Sequence, residues 1–142
     1  MIRILICDDH PVIRRGLRDI LSEQKGMEVA GEATNAAEAL NLVRKQKFDV
    51  VLMDITMPGR SGIEALKDIK AEKPDLPVLM LSLHPEDQYA IRSLKAGASG
   101  YLTKESAPEE LVGAIQKVVS GGRYVSTNLG ERLAEELGSH GG

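Results

Sequence analysis

The stretch IRILICDDHPVIRRGLRDIL, residues 2–21, changes its hydrophobic period halfway along. Ile2–Cys7 is apolar at every position but Arg3, the near-continuous pattern of a parallel strand covered on both faces. Two acids follow, Asp8 and Asp9, then His10 and Pro11. Proline suits the first turn of a helix, where its missing N–H would have had no partner anyway. Beyond it Val12, Ile13, Leu17, Ile20 and Leu21 fall at the spacing of a helix face. Strand, acidic turn and helix make one βα unit.

The same alternation runs on down the chain. Val29–Ala33, Val50–Met53, Val78–Ser82 and Gly100–Thr103 read as strands, and Ala36, Ala39, Leu40 and Val43 as the buried stripe of the second helix. Asn35 with Glu38 three residues later resembles a capping box, with Asn as the cap. Ser106 precedes Ala107-Pro108-Glu109-Glu110, acids where a helix dipole favours them, and Gly121-Gly122 stops that helix. Repeated βα units imply a parallel sheet with helices on both faces. Its functional crevice is expected at the carboxyl ends of the strands, where strand order reverses. The repeats end near Gly122, giving one domain over 1–122 and a linker over 123–142. Within the linker Leu129, Leu133 and Leu137 recur every four residues among Glu131, Arg132, Glu135 and Glu136, a short amphipathic helix with one docking or dimerising face. Gly138–Gly142 reads as flexible tail.

Bulk composition narrows the class. With 142 residues, 42% hydrophobic, 27% charged and only 3% aromatic, the core must be aliphatic. A net charge of −3 with scattered Lys and Arg offers no stripe for nucleic acid or an anionic membrane. The single cysteine, Cys7, excludes an internal disulfide and points to a reducing, cytoplasmic setting, as a small buried apolar group rather than a reactive thiol. No apolar run nears the ~20 residues of a membrane span, and the start has no signal-peptide pattern.

The polar residues fall where the topology would gather them. Strand one ends in Asp8-Asp9, strand three in Asp54, strand four in Ser82 and strand five in Thr103-Lys104. Three carboxylates brought together repel one another and call for a cation. Oxygen ligands favour a hard ion such as Mg²⁺, which keeps positions open for a phosphoryl oxygen. One carboxylate could then act as nucleophile and form an acyl phosphate, with Lys104 and the metal neutralising charge. His10 beside the acid pair reads as a helix-start histidine rather than a metal ligand, for want of a second His or Cys nearby.

ILICDDHPVIRRGLRDIL (4–21), DVVLMDITMPGRSGIEAL (49–66), VLMLS (78–82) and AGASGYLTKES (96–106) together resemble response-regulator receiver domains, over residues 2–121. The resemblance implies a flavodoxin-like, doubly wound sheet in the order 2-1-3-4-5. It implies Asp54 as phosphoacceptor, Asp9 and Asp54 as Mg²⁺ ligands with the Thr56 backbone carbonyl, and Asp8 acting through water. Ser82 is then the switch hydroxyl, Lys104 the phosphoryl contact and Tyr101 the aromatic switch. DDHPVIRRGL and the later GGRYVS are similar to the NarL/FixJ (LuxR-type) subgroup. For that subgroup the expected partners are a sensor histidine kinase, a second copy after phosphorylation, and DNA through a C-terminal helix-turn-helix domain that these residues do not include. Such a protein is a signalling switch that catalyses only its own phosphorylation and dephosphorylation. Glu105 follows Lys104 where many members have proline, so no cis bond is implied there. A haloacid-dehalogenase phosphatase would need an acid at Thr56. A flavin binder would need a Ser/Thr/Gly loop in place of Asp8-Asp9. A stand-alone receiver acting by protein contact is left open by the linker.

Overall fold

The computed structural model describes residues 1–57, 59–82, 88–125, 131, 134 and 135, with Gln88 described in its backbone alone. His84, which the sequence places in the loop after Ser82 at the rim of the site, the Leu129/Leu133/Leu137 stripe and the Gly-rich tail lie outside the described residues. Strands and helices alternate as the sequence leads one to expect: β1 (Ile2–Cys7), α1 (Pro11–Ser22), β2 (Met27–Ala33), α2 (Ala36–Lys45), β3 (Val50–Asp54), α3 (Gly62–Glu72), β4 (Val78–Ser82), α4 (Gln88–Lys95), β5 (Gly100–Thr103) and α5 (Ala107–Val119). The strands pair in parallel in the order β2-β1-β3-β4-β5. β2 starts at Met27, two residues before the expected Val29, because Met27 and Glu28 pair with Ile2 and Arg3.

Successive strand residues point to opposite faces, so the sheet has two cores. Leu5, Cys7, Val51, Met53, Val78, Met80 and Tyr101 pack with Ala39, Val43, Leu66, Ile69, Ile91 and Leu94, the buried stripes of α2, α3 and α4. Ile4, Ile6, Leu52, Leu79, Leu81 and Leu102 face Leu17, Leu21, Leu111, Ile115 and Val118 on α1 and α5. Val12 departs from its expected place on the α1 stripe and is 82% exposed. It stands in the first turn of α1, whose fully buried residues, Leu17 and Leu21, come one turn or more later. Among the described residues no helix is long and apolar enough to cross a membrane.

Local chemistry sets the helix ends. Asn35 Oδ1 accepts from the Glu38 N–H at 2.9 Å, as a cap should. The returning bond differs from the expected box: the Glu38 carboxylate accepts from the Thr34 N–H, one residue ahead of the cap, at 2.7 Å. The Thr34 hydroxyl, which also donates to this carboxylate, and then the Thr34 N–H hold the exposed Glu38 carboxyl below its usual range. Ser61 caps α3 through the Glu64 N–H at 3.2 Å. Ser106 begins α5 without a side-chain cap bond; its hydroxyl lies 2.9 Å from Thr103 Oγ1 instead. α5 closes where Gly121, at φ 97°, lets its own N–H reach Val118 O and the Gly122 N–H reach Lys117 O.

Two helical glycines carry no such duty. An added Cβ at exposed Gly16 in α1 or Gly113 in α5 meets nothing within 4 Å. Alanine at either should stabilise the fold by about 0.5–1 kcal/mol, by restricting the unfolded chain and favouring the helix. Urea unfolding followed by far-ultraviolet circular dichroism checks this, and a loss of stability in both variants would contradict it.

Candidate functional site

The strand order reverses between β1 and β3, and the described acids of the crevice stand at that point. Asp8 and Asp9 follow β1, Asp54 ends β3, Ser82 ends β4, and Lys104 follows Thr103 at the end of β5. Asp8, Asp54 and Ser82 are 0%, 2% and 1% exposed, whereas Asp9 is half-buried. Each carboxylate or hydroxyl is thus held by a strand whose preceding residues are locked in the core.

Lys104 Nζ lies 2.9 Å from Asp8 Oδ2 and 3.3 Å from Asp54 Oδ2, with 5% of its side chain exposed. These are charge contacts rather than well-aligned hydrogen bonds. Asp8 Oδ2, Asp9 Oδ1, Asp54 Oδ2 and Lys104 Nζ are all buried without a hydrogen-bond partner. Three carboxylate oxygens left so close together are costly, and a bound cation would relieve them. Burial, then the neighbouring Asp8 charge, push the Asp54 carboxyl above its ordinary range; Lys104 and the Thr56 N–H, 3.3 Å from Asp54 Oδ1, pull the other way. Burial also pushes the Cys7 thiol up to about 12, so it stays a thiol and serves as core.

His10 stands at the helix start, as the sequence leads one to expect, and, against that expectation, it also reaches the acids. It is the residue ahead of α1 and its side chain is 46% exposed. Its Nδ1 nevertheless lies 2.9 Å from Asp8 Oδ1, 3.2 Å from Asp9 Oδ1 and 3.6 Å from Asp54 Oδ2. Ligand atoms of Asp8, Asp9, His10 and Asp54 all fall within 4.8 Å of one another, a set able to hold a metal ion. Arg14 was not legible as part of this site. One of its N–H groups donates to the Asp8 carbonyl at 2.7 Å while its Nε lies 3.3 Å from Glu32. The available signal was its spacing: it follows the helix-start residue by one turn, and helical side chains lean back toward the N-terminus.

Lys104 is anchored through its backbone too, since its N–H donates to Ser82 O at 2.7 Å. Ser82 pairs in register with Thr103, so β4 and β5 finish together beside the acids. Thr56 is exposed in the loop after β3, and its peptide N–H fixes the Asp54 carboxylate. Tyr101 lies one layer below the rim, 2% exposed, in the cluster with Ala90, Ile91 and Leu94 of α4. The Lys104–Glu105 bond is trans, like every other described peptide.

Residues 4–116 match the family model of the response regulator receiver domain. The chain is 42% identical over 134 residues to the response regulator UvrY of Escherichia coli K12, an alignment covering 94% of this chain and 62% of that protein. It spans, then, under two thirds of the length of such relatives. Among solved structures it superposes on a LuxR-family two-component response regulator from Aurantimonas sp. SI85-9A1 with a TM-score of 0.86, at 40% identity, covering 94% of this chain and 96% of that one. RcsB of Salmonella typhimurium, in a structure concerned with conformational dynamism for DNA interaction, gives a TM-score of 0.83 at 27% identity, covering 94% and 67%. With a match running from the first strand into the last helix, on this strand order and above this acidic rim, the chain belongs to the response regulator receiver domain family and is a signalling switch of the two-component type.

Proposed function

We propose that Asp54 accepts a phosphoryl group from the phosphohistidine of a sensor kinase, in a Mg²⁺-dependent reaction. The observation that carries this reading is the cluster of buried, unpartnered carboxylate oxygens with Lys104 Nζ among them. Their chemistry fits a hard divalent ion, all the donors but His10 being oxygen. Asp9 and Asp54 would hold Mg²⁺ through carboxylates, Thr56 through its backbone carbonyl and Asp8 through water. When bound, the ion supplies positive charge between those carboxylates and the phosphoryl oxygens.

The remaining work falls to the chain. An Asp54 oxygen attacks phosphorus, the bond from phosphorus to the donor nitrogen breaks, and the leaving imidazole takes a proton from solvent. Lys104, already 3.3 Å from Asp54 Oδ2, meets the charge on the transferred group. The Ser82 hydroxyl, at the end of the adjacent strand, donates to the new phosphate, and Tyr101 repacks behind it. Taking such a switch from 1:99 to 99:1 needs about 5.5 kcal/mol of differential stabilisation, within reach of two or three charge-assisted bonds. The altered surface would favour a homodimer. In the whole protein it would regulate transcription through a DNA-binding domain, as the RcsB and LuxR-family likenesses support.

Acetyl phosphate with Mg²⁺, followed by intact mass, tests the acceptor. Wild type should gain one phosphoryl group, and neither Asp54→Asn nor EDTA-treated wild type should. A gain retained in Asp54→Asn places the acceptor elsewhere and ends the reading.

A further inference from the structure

β5 is the edge of the sheet, and an edge strand leaves N–H and C=O groups open to pairing. Here the chain covers its own edge. After α5 it turns at Gly121 and runs back along β5, where Gly100 and Tyr124 form a parallel bridge. The Tyr124 N–H donates to Ser99 O at 3.0 Å, and Tyr124 O accepts from the N–H of Tyr101 at 3.1 Å. The approach is so close that a Cβ on Gly100 would stand 2.6 Å from Tyr124 O. Tyr124 packs against the α1/α5 core and its hydroxyl donates to Glu110 Oε1 at 2.6 Å. Val125 packs on the opposite core, the one that contains Tyr101. Two successive residues thus grip both faces of the sheet edge.

We propose that residues 123–125 are a clasp on β5, closed in the unphosphorylated protein and opened when the Asp54 site is occupied. This rests on Asp54 being the acceptor. β5 has four residues, spanning about 13 Å, and its two ends have different jobs. The carboxyl end carries Thr103 and Lys104, tied to Ser82 at the rim. The amino end carries Ser99, Gly100 and Tyr101, tied to Tyr124. A phosphoryl group that draws Ser82 and Lys104 toward Asp54 moves the strand that the clasp holds, while Tyr124 stays fixed to Glu110 on α5. A clasp closed at rest can signal only by weakening. By linkage, opening the clasp first must favour occupancy of the site by the same factor.

Trypsin reads the clasp directly, because the Arg123–Tyr124 bond must leave the edge before it can be cut. The full chain is digested with and without Mg²⁺ and beryllofluoride, a phosphate mimic, and early fragments are weighed. Cleavage at Lys25, in the turn before β2, serves as the internal reference. Fluorine NMR reports bound beryllofluoride independently. The expected result is cleavage at Arg123 at least about fivefold faster, relative to Lys25, with the mimic bound. Tyr124→Phe, which loses the Glu110 bond, should be cut faster without the mimic and respond to it less. A bound-fluoride signal with unchanged cleavage overturns the clasp and leaves the acceptor reading standing. No bound fluoride takes both down, and a Tyr124→Phe variant as resistant as wild type removes the clasp by itself.

Discussion

Lys104→Met is expected to destabilise the metal-free protein by about 3 kcal/mol at pH 8, and to regain most of that loss in Mg²⁺. The ammonium lies 2.9 Å from Asp8 and 3.3 Å from Asp54, both buried, and removing one member of a buried charge group leaves the others uncompensated. Methionine keeps the side chain's length and apolar contacts, so the loss is electrostatic in origin. Its pH dependence separates it from a packing defect. The Asp54 carboxyl is already held high by burial and by Asp8, and Lys104 is a group that lowers it. Without Lys104 the folded-state value rises further above the unfolded one, near 3.9. A carboxyl raised on folding costs stability at pH above its folded value, and the cost fades as pH falls to the unfolded value. The gap between variant and wild type should therefore close as pH drops from 8 toward 4. On the proposed reading Mg²⁺ binds the folded state alone, and should then restore about 2.7 kcal/mol at a hundred times its dissociation constant. Urea unfolding at pH 8 and pH 5, with Mg²⁺ or EDTA, measures all four corners. A loss that is equal at both pH values and indifferent to Mg²⁺ would assign Lys104 to packing.

The same rim explains what the sequence made legible and what it did not. Apolar runs and their breaks locate the five strands, since a strand covered on both faces has nowhere to place a polar residue until it leaves the sheet. That same rule marks Asp8, Asp54, Ser82 and Lys104, which stand at those breaks. Their mutual distances rest on strand order, which the resemblance implied and the pairing of β1 with both β2 and β3 bears out. His10, Arg14 and Tyr124 were harder to read. His10 meets the acids because the turn into α1 bends its N–H and ring onto Asp8, a tertiary result that its neighbours in sequence do not announce. Arg14 acts through a backbone carbonyl, and carbonyls leave no trace in composition. Tyr124 looked like linker, yet it pairs with β5 because a glycine two dozen residues earlier clears the space. Periodicity reports which face a residue buries; it is silent on which backbone groups meet.

Gly62→Ala should cost about 3 kcal/mol and slow phosphoryl uptake by about a hundredfold, although residue 62 bears no functional group. The position needs glycine for room, since its φ is not in the left-handed region. A Cβ there would stand 2.0 Å from the Asp54 carbonyl oxygen, 2.7 Å from Ile55 Cα and 2.8 Å from the Asp54 carbonyl carbon. All are backbone atoms of the strand end, which cannot rotate aside as a side chain would. The contact exists because the Gly62 N–H donates to Ile55 O at 2.7 Å and draws the start of α3 onto the end of β3. Relief requires the two backbones to part, a strain at the upper end of overpacking costs. It also moves Asp54 itself, together with the Thr56 N–H that orients its carboxylate. Displacements near 1 Å at a reacting group are worth about a hundredfold in rate. The stability loss and the rate loss thus share one cause. Urea midpoints and the initial rate of acetyl phosphate uptake, measured with Mg²⁺ in excess, test both on the same preparation. Gly113→Ala is the matched control, with open space around its Cβ and no expected effect on the rate. A Gly62→Ala protein within about 1 kcal/mol of wild type and equally fast would show that the end of β3 yields more readily than its backbone packing implies, and the position of Asp54, the proposed acceptor, would then have to be fixed from its other side, by Lys104 and the acids that follow β1.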